Sequence, residues 1–104
     1  IHVCDLARAH ICALDIVQTN EPAIFNIGTG TGTSVIELIA AFEKATENNI
    51  NWTFGPRRAG DVTEIYALAN KAATILKWKA EHTVEEAVSD AWKWEKFRIA
   101  AGIE

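Results

Sequence analysis

A chain of 104 residues, 49% hydrophobic and 23% charged, is one globular domain at most, or part of one. A formal net charge of −4 argues against a general nucleic-acid or membrane-surface binder, which needs a basic face, and no apolar run is long enough to span a bilayer. The start, Ile1-His2-Val3-Cys4-Asp5, lacks a Met and a signal-peptide layout and reads as a chain entered in mid-strand.

Ile1 to Val3 is expected to end a strand. Asp5 is placed to N-cap a helix running to about Gln18, with Leu6, Ala9, Ala13, Leu14 and Val17 on one face. Thr19-Asn20-Glu21-Pro22 breaks that pattern, and Ala23-Ile24-Phe25-Asn26-Ile27 fits a short buried strand. Ser34 and Glu37 form a capping box for a helix from Val35 to Thr46, striped by Val35, Leu38, Ile39, Phe42 and Ala45. Asn51-Trp52-Thr53-Phe54 alternates as a half-buried strand does, and Glu64 to Ala67 reads as a second extended segment. Asn70 is expected to cap a short helix over Lys71 to Leu76, and Trp78 to plug the core. Thr83 and Glu86 make another capping box, opening a last helix from Val84 to about Arg98 with Ala87, Val88, Ala91, Trp92 and Glu95 on one side and Trp94 beside it. Strands alternating with helices point to an α/β unit. The strands are few and short, so the pattern reads as a lobe that leans on something else.

The glycines of Gly28-Thr29-Gly30-Thr31-Gly32-Thr33-Ser34 sit between a strand and a helix, the order of a dinucleotide site. The G-x-G-x-x-G fingerprint fails at its last position, which is Thr33, and a phosphate-binding P-loop would need a Lys that is absent. The run therefore reads as a sharp turn into a capped helix. Cys4 and Cys12 lie about 12 Å apart along a helix, too far for a disulfide, and read as reduced, buried thiols. His2, His10 and His82 have no partner at metal-ligand spacing, so no metal site is expected.

The stretch richest in chemistry is Phe54-Gly55-Pro56-Arg57-Arg58-Ala59-Gly60-Asp61, the one place where two guanidinium groups adjoin. Pro56 fixes its own φ and biases Gly55 to an extended conformation, while Gly60 permits a turn that a Cβ would resist. A planar guanidinium suits bidentate phosphate contact, and a nearby carboxylate can accept hydrogen bonds from sugar hydroxyls. On the residues alone this is either such a site or a solvated loop with a surface Arg–Asp pair.

The chain also resembles a known family. Ile1-His2-Val3-Cys4-Asp5-Leu6-Ala7-Arg8-Ala9-His10 is similar to the I-H-V-x-D-L-A-x-x-H segment of UDP-glucose 4-epimerases. Asn26-Ile27-Gly28-Thr29-Gly30-Thr31-Gly32-Thr33-Ser34-Val35 resembles their N-x-G-x-G-x-G-x-S-V segment, and Pro56-Arg57-Arg58-Ala59-Gly60-Asp61 their P-R-R-x-G-D segment. Leu76-Lys77-Trp78 and Asp90-Ala91-Trp92-Lys93-Trp94 resemble their L-G-W and D-x-W-x-W segments, in the same order and spacing over nearly the whole chain.

The resemblance implies the fold class of an α/β, small C-terminal substrate-binding lobe of an extended short-chain dehydrogenase/reductase, with few short strands and about four helices. It implies that residues 1–104 are a fragment whose N-terminal NAD-binding Rossmann domain lies elsewhere. The chain has no G-x-x-G-x-x-G and no Y-x-x-x-K, since Tyr66 is followed four residues later by Asn70. No catalytic and no cofactor-binding residue is therefore expected within it. NAD belongs to the full-length enzyme. By the same resemblance Arg58 falls on the arginine that contacts the UDP phosphates, and Asp61 on a carboxylate bonding the ribose or adjoining groups. Val35 falls on an apolar residue near the uridine, and Ile65 on the position bordering the sugar pocket. Ile65 matches neither the Tyr nor the smaller residue common there, and Leu68 stands where the family usually has Asp, which leaves the sugar open. The implied parent is a cytoplasmic, homodimeric UDP-glucose/UDP-galactose 4-epimerase whose partner is a UDP-sugar, with no nucleic acid or membrane. The lobe of a related nucleotide-sugar decarboxylase or dehydratase, or a non-catalytic binding module, are the alternatives.

Overall fold

The computed structural model describes residues 1–17 and 22–103, which form two compact units. The first comprises residues 1–32 and 65–83, and the second residues 33–64 and 84–104. Gln18, the expected end of the first helix, and the break at Thr19-Asn20-Glu21 lie outside the described residues.

In the first unit, helix α1 spans Val3–Val17. Val3 is thus helical, not the end of a strand, and Asp5 lies within the first turn, not at the cap. The inward face is Asp5, Ala9, Cys12, Ala13 and Ile16, whereas Leu6 and Leu14 of the expected stripe are 38% and 63% exposed. α1 is apolar around much of its girth, so periodicity alone admits adjacent stripes. The inward stripe carries small residues, Ala9 and Ala13, which let another backbone approach closely.

That neighbour is the π-helical turn Ala72–Leu76, preceded by helical residues 70 and 71. Ala9, Ala72, Leu76 and Trp78 make the core of this unit, with Phe25, Ile27, Ala69 and Ala80 packed against it. Trp78 is 2% exposed, as expected, and its indole N–H donates to the Asp5 carbonyl at 2.9 Å. Asn70 does not cap this helix; it is itself helical, and its carbonyl accepts the Thr74 hydroxyl at 2.9 Å. The turn closes at the other end, where Lys77 takes a left-handed φ of 54° and the Lys77 and Trp78 N–H groups both reach the Ala72 carbonyl.

In the second unit, α2 (Val35–Thr46) packs against α3 (Val84–Ala100). The capping box at α2 is formed in full. The Glu37 N–H donates to Ser34 Oγ at 3.2 Å, and the Ser34 N–H donates to Glu37 Oε2 at 2.7 Å. The Ser34 N–H foremost, and the Ser34 hydroxyl donating to the same Oε2 at 2.8 Å, hold the Glu37 carboxyl below its usual range. Ala41 is buried with Ile39, Phe42 and Ala45 beside it, and Phe42 meets Trp92 edge-on at 5.6 Å. Val35 and Leu38 of the expected stripe are 73% and 45% exposed, because the face toward α3 is turned by part of a helical turn. α3 runs two residues beyond Arg98. Gly102, at φ 64°, lets the Ile103 N–H close back onto the Arg98 carbonyl at 3.0 Å.

The expected strands at 23–27, 51–54 and 64–67 have no strand pairing among the described residues. A short β-prone run becomes a strand only where a neighbouring backbone offers a ladder, and sequence pattern does not reveal whether one does.

Candidate functional site

The arginine loop lies in the second unit. Its turn is the one expected: the Asp61 N–H donates to the Arg58 carbonyl at 3.3 Å and Gly60 takes φ +86°. A positive φ at the third residue of a four-residue turn favours glycine, since a Cβ would be strained there. Asp61 bonds back to its own turn, accepting from Arg58 Nε at 3.3 Å. Arg58 is 86% exposed, and among the described residues only its Nε is engaged, which leaves the forked Nη1 and Nη2 end exposed.

Sequence reasoning treated Arg57 and Arg58 as a pair, and the structure separates them. Arg57 Nη2 donates to the Asp61 carbonyl at 2.8 Å and approaches Thr63 Oγ1 at 3.5 Å. It spans the turn to the Asp61 backbone, while the terminal end of Arg58 is left exposed. Nothing in the pattern R-R distinguishes the two, because the choice depends on which carbonyls the turn presents.

The other candidates do not join this bonded pair. Val35 is the first residue of α2, 73% exposed. Ile65 is 82% exposed and begins the second segment of the first unit. Arg58 and Asp61 are therefore the expected residues that the structure brings together.

The glycine run is a turn, as its broken fingerprint requires. Gly30 takes φ +79°, and Thr29 Oγ1 donates to the Thr31 carbonyl at 3.0 Å. A Cβ at Gly28 would meet Ala67 Cβ at 2.8 Å, so that glycine serves close packing.

A buried cluster went unseen in the sequence. Asp5 is fully buried, and its Oδ2 accepts the backbone N–H groups of Glu81 at 3.1 Å and His82 at 3.0 Å. Its Oδ1 lies 3.0 Å from His82 Nδ1 and 3.6 Å from Arg8. His82 stacks on His2 with ring centroids 4.3 Å apart, and Arg8 also pairs with Glu81. Burial pushes the Asp5 carboxyl up, but the hydrogen bonds from His82 and Glu81 together outweigh it and lower its pKa to about 2. The partners lie more than seventy residues apart, so no spacing rule finds them. Cys4 and Cys12 are both free thiols; Cys4 is exposed and Cys12 half-buried, so the expected burial holds for neither in full.

No family model matches the chain. Its relatives do. It is 50% identical over 99 residues, 92% of this chain and 28% of the relative, to the bifunctional UDP-glucose 4-epimerase and UDP-xylose 4-epimerase 1 of Pisum sativum. It is 41% identical over 95 residues to the UDP-glucose 4-epimerase of Bifidobacterium longum. Among solved structures it matches the UDP-glucose 4-epimerase of Stenotrophomonas maltophila with bound NAD and formylated UDP-arabinopyranose, with TM-score 0.89 and 41% identity, over 97% of this chain and 30% of that one. It also matches the Bifidobacterium longum enzyme in complex with NAD+ and UDP, with TM-score 0.84 and 41% identity, over 92% of this chain and 29% of that one. The chain spans about 28% of the length of the curated relatives it matches. No helix among the described residues is long and apolar enough to cross a membrane. In sequence and in fold the chain is related to the C-terminal part of the UDP-glucose 4-epimerases.

Proposed function

We propose that this chain is the UDP-sugar-binding lobe of an NAD-dependent UDP-glucose/UDP-galactose 4-epimerase, with Arg58 gripping the diphosphate. The observation that carries the reading is the exposed guanidinium fork of Arg58, tethered among the described residues through Nε on a turn closed by Gly60 and Asp61. Two parallel N–H donors on a fixed plane match two phosphate oxygens, and the Nε–carboxylate contact sets the direction of that plane. Asp61 then keeps a carboxylate beside the phosphate site, able to accept from a ribose hydroxyl. Val35 offers an apolar surface to the uridine, and Ile65 borders the sugar.

The chemistry at C4 of the hexose belongs, on this reading, to a Rossmann domain outside residues 1–104, where NAD supplies hydride acceptance and return. The part played by this chain is to hold UDP, leaving the sugar free to turn between its two faces. Binding energy from a group that does not react anchors the one that does. Relatives that bear names for both UDP-glucose and UDP-xylose, and a neighbour holding a UDP-pentose derivative, support a site whose constant element is UDP and whose sugar varies. Cytoplasmic location and a homodimeric parent complete the reading.

The test is calorimetric titration of the protein with UDP and with uridine. UDP should bind, and bind more weakly as salt rises, because phosphate contacts are screened; uridine should bind at least tenfold more weakly. Equal affinities would show that the phosphates make no contact and would remove Arg58 from the site.

A further inference from the structure

The paired arginines of the loop differ in what they hold. Arg57 gives one terminal nitrogen to the backbone of Asp61 and the hydroxyl of Thr63, while Arg58 gives its inner nitrogen to the Asp61 side chain. Asp61 is thus gripped twice. Its carbonyl is held by Arg57, its carboxylate by Arg58, and its N–H donates to the Arg58 carbonyl. Fixing the Asp61 carbonyl fixes the peptide plane that sets the Asp61 side chain. That side chain in turn aims the Arg58 fork.

We propose that Arg57 is a positioning residue for UDP recognition: it braces the turn at Asp61 so that Arg58 is presented in one orientation, and does not touch the nucleotide itself. The inference rests on the assignment of Arg58 to the diphosphate. A loop that is ordered before binding loses less freedom when the ligand arrives, and Arg57 lowers that loss without adding a contact. A guanidinium suits the task because Nη2 carries two N–H groups fixed in one plane, so this one nitrogen serves the carbonyl and the hydroxyl together in a set direction that the freely rotating ammonium of a Lys does not impose.

The experiment combines two readouts on the same variants. Backbone amide relaxation by NMR reports the order of residues 58–63 without ligand, and UDP titration reports affinity. Arg57→Ala should make the amides of 58–63 mobile and weaken UDP binding about 3- to 10-fold, the size expected from an added ordering cost. Arg57→Lys should restore part of both. In the Arg58→Ala background, Arg57→Ala should bring no further loss, because a brace has nothing left to present. Losses that add independently would show that Arg57 contacts UDP directly and would overturn the proposal. Unchanged relaxation in Arg57→Ala would overturn it as well. If Arg58→Ala left UDP affinity intact, the diphosphate assignment would fall, and the role of Arg57 in recognition with it. Mobility of the loop in Arg57→Ala would then mark a brace serving no ligand, so the two failures are told apart.

Discussion

Replacing Asp5 by Asn probes the contact that holds the start of α1 to the segment before α3. The carboxylate is fully buried and accepts two backbone N–H groups and faces an imidazole nitrogen, all within 3.1 Å. Its pKa stands at about 2 in the folded chain against an ordinary value of 3.8. A group whose folded pKa is depressed contributes stability that is present above the unfolded value and is lost as pH falls through the folded one. A shift of this size corresponds to about 2 kcal/mol, and the exposed Arg8 and Glu81 over the cluster leave room for solvent screening, which trims it to about 1–2 kcal/mol. The window is from about pH 4 down to about pH 2. Asp5→Asn removes the charge and turns an amide N–H2 toward donors, so it should destabilise by at least about 1–2 kcal/mol at pH 7. Urea titration followed by Trp emission, run at pH 7 and at several points between pH 4 and 2, measures both effects. The wild-type chain should lose stability across that window more steeply than Asp5→Asn, so the two curves converge toward pH 2. Parallel curves would mean that the Asp5 carboxylate is not held as described, and the reasoning from its hydrogen bonds would fail.

Gly28→Ala should destabilise by ~1–3 kcal/mol in thermal unfolding, because the added Cβ meets Ala67 Cβ at 2.8 Å and a packed neighbour must move; an unchanged melting temperature would mean that the 28–67 contact is loose. Ser34→Ala should lower stability by ~1 kcal/mol and fray the first turn of α2, read as faster exchange of the Glu37 amide, since the reciprocal Ser34–Glu37 bonds are lost. Titration with a thiol reagent under native conditions should modify both cysteines, Cys4 faster than Cys12, as their exposures require; a denatured, unreduced sample without free thiols would contradict this.

The helices were legible in the sequence because their signals are local. Ser34 and Glu37 three residues apart marked the start of α2, and that capping box is present. Gly60 marked the turn of the arginine loop, and its φ is positive. Trp78 was placed in the core on bulk alone. What failed was long-range. Asp5 has the residue type of an N-cap, but its true partners are backbone groups at positions 81 and 82 that only the fold delivers. The expected stripe on α1 holds at Ala9 and Ala13 and misses at Leu6 and Leu14, which are exposed, because the small residues are those that permit close packing while Asp5, Cys12 and Ile16 complete the inward face. Strand-like runs at 23–27 and 51–54 satisfied pattern and lacked a ladder, a property of the neighbours and not of the run. Within the loop, residue type and spacing marked Arg57, Arg58 and Asp61 alike, the resemblance singled out Arg58 and Asp61, and the structure joins those two at 3.3 Å. The distinct task of Arg57 required the direction of a carbonyl.

The most direct test of the account is steady-state kinetics of Arg58→Lys in the full-length enzyme proposed to carry this chain, with NAD content checked to confirm folding. Lys keeps the charge and loses the fork, so a charge-assisted hydrogen bond worth roughly 1.5–3 kcal/mol is removed and KM for the UDP-sugar should rise ~10- to 100-fold. Because UDP takes no part in the chemistry, kcat should change far less than KM. An unchanged KM would contradict the account, leaving Arg58 and Asp61 as a surface pair with no part in holding the nucleotide.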